Sequence, residues 1–288
     1  MNGILNLNKP AGYTSFDCVA VLRRLTGEKR IGHTGTLDPQ ATGVLPVCIG
    51  KATRLLEFMD SAPKTYVCGC TLGLETDTQD IWGAARCDRR AETASLTRDA
   101  VEKALRSFEG EIEQRPPVFS AVKVNGKRLY EYAREGRDVE IPVRRVNVYS
   151  IRMLDWNGAA KPFTFEVICS RGTYVRSICH DLGQMLGCGA CMSSLVRTQT
   201  CGYSIDKAVS MDGLKQMTAE QIEALLDPPE TAVAHLPRLE LEEEQARLFC
   251  NGNPLWSEGL TLTDGVQAVF YQGDLIGVIR NGIIAKVL

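Results

Sequence analysis

The stretch Gly32-His33-Thr34-Gly35-Thr36-Leu37-Asp38-Pro39, continuing Gln40-Ala41-Thr42-Gly43-Val44-Leu45-Pro46, constrains this chain more than any other. It surrounds one carboxylate, Asp38, with three glycines and two prolines. That composition suits a loop held close to a ligand and suits no long helix or strand. The rest of the chain therefore has to supply the frame that holds such a loop.

Alternation over Gly3 to Lys9 predicts a short strand ending in the turn Pro10-Ala11-Gly12. Ser15 is placed to cap a helix whose apolar positions Phe16, Val19, Ala20 and Leu25 keep helical spacing until Gly27. Val44 to Ile49 reads as a buried strand, and Lys64 to Gly73 as a second with Tyr66 near its start. Glu75 to Asp80 is polar and reads as a turn, and Thr97 to Phe108 as a capped amphipathic helix. The strand pattern of Phe163 to Cys169 runs into a helix over Ser177 to Leu186, stopped by Gly187 and Gly189. Arg176 thus falls at a strand-to-helix junction, from which a guanidinium can reach a carboxylate on a neighbouring loop. A helical pattern from Met211 to Leu226 leads to Asp227-Pro228-Pro229. Beyond it, Leu260 to Leu262, Val266 to Tyr271, Leu275 to Ile279 and Ile283 to Val287 read as short strands of a small β module.

With 44% hydrophobic and 24% charged residues, the 288-residue chain reads as an ordinary soluble protein with one large domain and one small one. No basic leader opens it and no run reaches the ~20 apolar residues that span a bilayer, so a cytoplasmic protein is expected. The formal net charge of −2 means that affinity for a polyanion must come from local patches. One candidate is the segment 114–146, where eight basic residues oppose four acidic ones and Phe119, Tyr130 and Tyr132 are interleaved. Such a pattern can track a phosphate backbone while presenting flat rings, or it can be a solvated helix with a packed tyrosine. Arg23, Arg24, Lys29 and Arg30 carry the same two readings. From Arg238 onward four basic residues face seven acidic ones, which does not advertise RNA binding. Eleven cysteines, an odd number, fit reduced thiols, and the Cys188 to Cys191 spacing finds no second half for a zinc site. The acidic turn at residues 75–80 lacks the glycine and terminal glutamate of a calcium loop. A metal hydrolase built on Asp77, Asp80 and a histidine stands as a rival from composition alone.

Several motifs in order resemble the TruB-type tRNA pseudouridine synthases. They are Asn8 to Ser15, the Gly32 to Gly50 loop with Ala52-Thr53, Lys64-Thr65-Tyr66, Tyr130 to Arg134, Arg171 to Arg176 and Leu195 to Thr198. The resemblance spans residues 3 to 205. It implies an α+β pseudouridine synthase fold with a central mixed, largely antiparallel sheet flanked by helices and loops, and a small C-terminal β module similar to a PUA domain. The implied organisation is a catalytic domain over 1–227, carrying an RNA-gripping insertion at about 114–146, a linker at 228–237 and the PUA-like module at 238–288. The implied activity is isomerisation of uridine 55 in the tRNA T-loop, without metal or cofactor, by a monomer needing no protein partner. Alternatives are an RNA-binding or tRNA-folding protein and a guide-RNA-dependent relative.

By the same resemblance, Asp38 falls on the catalytic aspartate and Tyr66 on a tyrosine stacked against the target base. Arg176 falls on an arginine paired with the catalytic carboxylate, and His33 on a histidine that holds the base out. Lys9, Leu195 and Tyr174 fall on positions around the same site, and Lys123, Lys127, Arg128, Arg134 and Arg137 on the RNA-gripping insertion. These residue types suit the reaction, which breaks an N-glycosidic bond, turns the uracil and rejoins it through carbon with no redox change. A carboxylate can serve by attacking sugar or base or by removing a sugar proton, and a nearby cation keeps it ionised. Extruding a base costs a few kcal/mol of stacking, which an aromatic ring returns at ~1–3 kcal/mol.

Overall fold

The computed structural model describes residues 1–59 and 62–288. In chain order the first elements are β1 (Gly3–Lys9), α1 (Ser15–Thr26), β2 (Ile31–His33), β3 (Thr42–Ile49) and the one-turn α2 (Leu56–Met59). The cap of α1 is Thr14, not Ser15. The Thr14 hydroxyl accepts from the Asp17 amide and the Asp17 carboxylate accepts from the Thr14 amide, a capping box. Hydrogen bonding to the Thr14 side chain, foremost, holds the Asp17 carboxyl below its ordinary range. Strand β3 begins before Val44 and takes in Gly43 and Pro46, because β1 pairs with it antiparallel from Gly3↔Ile49 to Lys9↔Gly43.

The middle of the chain forms β4 (Lys64–Leu72), β5 (Leu74–Thr76), β6 (Ala85–Asp88), α3 (Arg98–Arg106), β7 (Gly110–Gln114), β8 (Lys123–Val124) and β9 (Lys127–Arg128). It continues with α4 (Leu129–Arg134), β10 (Arg144–Asp155), β11 (Phe163–Cys169), α5 (Val175–Met185), β12 (Ala190–Thr200) and β13 (Tyr203–Ser204). The last part contains β14 (Val209–Ser210), α6 (Met211–Leu214), α7 (Ala219–Glu223), β15 (Arg238–Glu240), α8 (Glu243–Cys250), β16 (Val266–Tyr271), β17 (Asp274–Arg280) and β18 (Ile283–Val287).

Three further expectations change. The turn expected at Glu75 to Asp80 gives up its first residues to β5, where Glu75 pairs with Cys87 and Thr76 with Ala85. The helix expected over Met211 to Leu226 is two short ones, since Ser210 and Thr218 each cap a fresh start. Leu260 to Leu262 is no strand: the two leucines pack onto the core of the C-terminal module from a coil, and β15 takes the edge beside β16.

These elements make an α+β fold of two compact units. One comprises Met1–Pro39, Gly43–Ser61 and Asp206–Leu288, the other Gln40–Thr42 and Ala62–Ile205. In the first unit the strand order is β14-β1-β3, with β14 parallel to β1, and β2 pairs with β3. Leu5, Leu7, Leu45, Val47 and Ile49 from these strands meet Val19 and Leu22 of α1 in a common core. The C-terminal module has its own core of Leu241, Ala246, Phe249, Trp256, Val269 and Ile279, with the Phe249 and Trp256 rings edge to face at 5.2 Å. It rests on α2, where Glu57 accepts Lys286 at 2.9 Å and lies 3.4 Å from Arg280. The Lys286 hydrogen bond, first of all, holds the Glu57 carboxyl below its usual range.

In the second unit the order β12-β4-β11-β10-β7 is antiparallel throughout. One face buries Phe163, Phe165, Val167 and Cys169 of β11 together with Tyr66, Cys68 and Cys70 of β4. Helix α5 approaches β12 so closely that a Cβ on Gly183 would lie 2.0 Å from the Ala190 amide nitrogen. A Gly183→Ala substitution therefore forces α5 off β12. Overpacking of this kind costs about 1–3 kcal/mol, read as a lower urea midpoint, and an unchanged midpoint would show that the helix slides freely.

Candidate functional site

The loop around Asp38 is held from below by the end of β1. Lys9 is fully buried, and its ammonium donates to the carbonyls of Pro10 at 2.9 Å, Tyr13, and Pro39 at 2.9 Å. A buried ammonium is costly unless its protons are satisfied, and three carbonyls match its three protons. The Gly12 amide also donates to the Pro39 carbonyl, at 2.9 Å. On the other side of Asp38, the Leu37 amide donates to the Ser15 hydroxyl at 3.0 Å, and the Leu37 side chain is buried. That is why Ser15 is not the cap of α1. Residues 37 and 39 are thus both pinned, and the half-buried Asp38 sits between them. His33, half-buried at the end of β2, pairs with Val47, and the Thr34 amide donates to the Pro46 carbonyl at 3.2 Å.

Within the second unit, Tyr66 lies on β4 with 7% of its surface exposed. The neighbouring strand β12 places Leu195 opposite Cys68, and the fully buried Arg197 opposite Tyr66. Arg176 is the second residue of α5 and is buried. Its guanidinium donates to the Thr78 and Phe119 carbonyls, each at 3.0 Å, and lies 3.9 Å from the Asp80 carboxylate. Asp80 in turn accepts the Thr78 hydroxyl at 2.7 Å and the Trp82 amide at 3.2 Å. The polar turn read from the sequence as a connection is therefore part of the arginine's cage. Its only signal in the sequence is a pair of carboxylates among threonines. Tyr174, half-buried, precedes α5, and the Gln114 side-chain amide binds its backbone from both sides.

The segment 114–146 folds around its own small core. Hairpin β8–β9 turns at Asn125-Gly126, both with positive φ, and Val122, Leu129 and Tyr132 are buried beneath it. The Tyr132 hydroxyl donates to the Val124 carbonyl at 3.2 Å, so this ring is structural rather than a free stacking plane. Lys127 and Arg137 lie over Tyr132 and are paired with Glu135. Arg128 and Arg134 instead flank the half-buried Tyr130 ring, at 5.8 and 5.3 Å, and are exposed, as is Lys123. The packed-tyrosine and charged-surface readings thus each hold for part of the segment.

All eleven cysteines are free thiols. Cys68 and Cys179 approach to 3.6 Å, and burial, first of all, pushes the Cys169 thiol up to about 11 and Cys191 to about 12. Among the described residues no group of three or more His, Cys, Asp or Glu side chains has a metal-holding arrangement, and no helix is long and apolar enough to cross a membrane.

Residues 23–175 match the family described as TruB family pseudouridylate synthase (N terminal domain). Residues 176–234 match the tRNA pseudouridylate synthase B C-terminal domain. A tRNA pseudouridine synthase B of Geobacillus thermodenitrificans is 46% identical over 257 residues, covering 88% of this chain and 85% of that protein. One of Acaryochloris marina is 43% identical over 290 residues, covering 99% and 97%. Among solved structures, a chain of a Cbf5-Nop10-Gar1 complex aligns with a TM-score of 0.73 at 28% identity, covering 98% of this chain and 79% of that one. A chain of an H/ACA RNP bound to a substrate RNA containing 2'-deoxyuridine aligns at 0.71 and 26%, covering 96% and 77%.

Replacing Lys9 by methionine keeps the volume and removes the donor that three carbonyls share. Hydrogen bonds from a charged donor contribute roughly 1.5–3 kcal/mol. Lys9→Met should lower the urea midpoint accordingly, and a midpoint equal to wild type would refute the clamp.

Proposed function

This chain belongs to the TruB family of pseudouridylate synthases, and on that premise we propose that it isomerises uridine 55 in the T-loop of tRNA, with Asp38 as the essential carboxylate. The observation that carries the reading is the pinning of the backbone on both sides of Asp38 by Lys9, Gly12 and Ser15. A carboxylate on so constrained a loop is preorganised, and reacting groups held in place save a large share of a barrier.

In this reading the target uridine is extruded from its loop, with His33 filling the gap and the Tyr66 ring stacking on the base. Asp38 is the group on which cleavage of the N1–C1′ bond depends. The freed uracil turns, C5 bonds to C1′, and the proton on C5 departs while N1 gains one, so atoms balance with no redox partner. The Tyr66 hydroxyl relays the C5 proton, giving up its own as it takes the one from carbon, so that the phenol ends the step unchanged. Arg176 pairs with Asp38 and keeps it ionised, because a neighbouring cation favours the charged form of an acid. Thr78, Phe119 and Asp80 orient that guanidinium. Lys9, Leu195 and Tyr174 complete the surroundings, and Lys123, Lys127, Arg128, Arg134 and Arg137 grip the RNA. We take residues 1–227 as the catalytic body, 228–237 as a linker and 238–288 as the PUA-like module. The enzyme works in the cytoplasm as a monomer without cofactor. Coverage of 97% of a bacterial tRNA pseudouridine synthase B supports a stand-alone enzyme over a guide-dependent one.

Purified protein incubated with an unmodified tRNA transcript should form pseudouridine at position 55, and product elsewhere or nowhere would overturn the assignment. Asp38→Asn should abolish turnover while tRNA affinity stays within about threefold of wild type, since one uncharged isostere leaves the phosphate-binding cations intact. Arg128→Glu with Arg134→Glu should reduce the salt slope of tRNA binding by about two units, roughly 0.9 for each phosphate no longer neutralised. An unchanged slope would return those two arginines to a merely solvated role.

A further inference from the structure

One short segment, Gln114 to Phe119, holds the start of α5 at three points. The Gln114 side chain, itself only 2% exposed, donates its amide to the Tyr174 carbonyl at 2.9 Å and accepts the Tyr174 amide at 2.7 Å. Only one orientation of the carboxamide satisfies both bonds. The Ser177 hydroxyl lies 3.0 Å from the Arg115 carbonyl, and the Arg176 guanidinium donates to the Phe119 carbonyl at 3.0 Å. Between these ties stand Pro116 and Pro117, both buried, whose rings fix the backbone torsions and stiffen the link.

Tyr174 is the cap residue of α5, and no side-chain hydrogen bond of its own stabilises that helix start. Its carbonyl also accepts the Ile178 amide at 3.2 Å, so the Gln114 amide bonds the first acceptor of the helical ladder. The two chain ends of the RNA-gripping segment meet at the same place, for Gln114 at the end of β7 pairs with Arg144 at the start of β10. Whatever moves the root of the segment therefore moves the residues that fix Arg176.

We propose that Gln114 is a positioning residue for Arg176, which acts by clamping the Tyr174 backbone and couples the RNA-gripping segment 114–146 to the orientation of the guanidinium. The inference rests on the pseudouridine synthase reading and adds a residue to it. Gln114 touches no reacting atom and no phosphate. Its loss is felt in the chemical step, while the cations that hold RNA remain.

The test is single-turnover pseudouridine formation on a tRNA transcript at saturating enzyme, set beside tRNA affinity and melting temperature. Gln114→Leu removes both bonds, and Gln114→Glu keeps the acceptor for the Tyr174 amide while setting an oxygen against the Tyr174 carbonyl. A misplacement near 1 Å costs about a hundredfold in rate. Gln114→Leu should therefore lower the single-turnover rate roughly ten- to a hundredfold, and Gln114→Glu by a smaller factor, with tRNA affinity within about threefold of wild type. Should the leucine variant fail to fold, the glutamate variant decides alone. Wild-type rates in a folded variant, or a loss of rate that only follows loss of affinity, would overturn the proposal. A wild-type protein that forms no pseudouridine removes the underlying reading, whereas an active wild type with indifferent variants removes this inference alone.

Discussion

Burial of one ammonium sets the geometry around Asp38. Lys9 sits at the last position of β1 with no surface exposed, so its three protons must be met by protein. They are met by carbonyls from the turn after β1 and from Pro39, which makes the strand, the turn and the loop a single rigid piece. The hydrophobic residues of β1, β3 and α1 anchor that piece in the core of the first unit. Apolar packing places the strand, and the polar group at its end places the loop.

Arg176 shows the complementary arrangement in the second unit. Its guanidinium is planar and carries several donors, so it can be fixed by acceptors from different directions. The acceptors come from the turn carrying Thr78 and from Phe119 in the segment 114–146, with Asp80 supplying the nearby negative charge. A charge buried to this extent needs hydrogen bonds as well as Coulomb attraction, since desolvation takes back much of an ion pair's gain.

Much of this was readable in the sequence. The glycines and prolines around Asp38 marked a loop, alternation marked β1 and β11, and motif order singled out Tyr66 and Arg176. Harder to read were Asp80, Ser15 and Gln114, because each acts through a partner far along the chain: the Arg176–Thr78 bond spans 98 residues and the Gln114–Tyr174 bonds span 60. No local period reports such partners. Ser15 misled in an instructive way, as a good capping residue whose hydroxyl is spent on Leu37 while Thr14 caps. The coil at Leu260 to Leu262 misled because alternating leucines satisfy a core equally well without a ladder.

The free thiols have a consequence for how the protein fails. Seven of the eleven cysteines are buried in the folded chain, and burial raises the thiol pKa of Cys68, Cys169 and Cys191 among them, leaving little thiolate to react. Unfolding exposes all of them at once, with ordinary acidity and many wrong partners. In an oxidising medium each opening can be captured as a mispaired disulfide, so oxidation acts as a ratchet on unfolding. For the seven buried thiols the native state is chemically quiet and the unfolded one is not, so their oxidation in air is set by how often the protein opens.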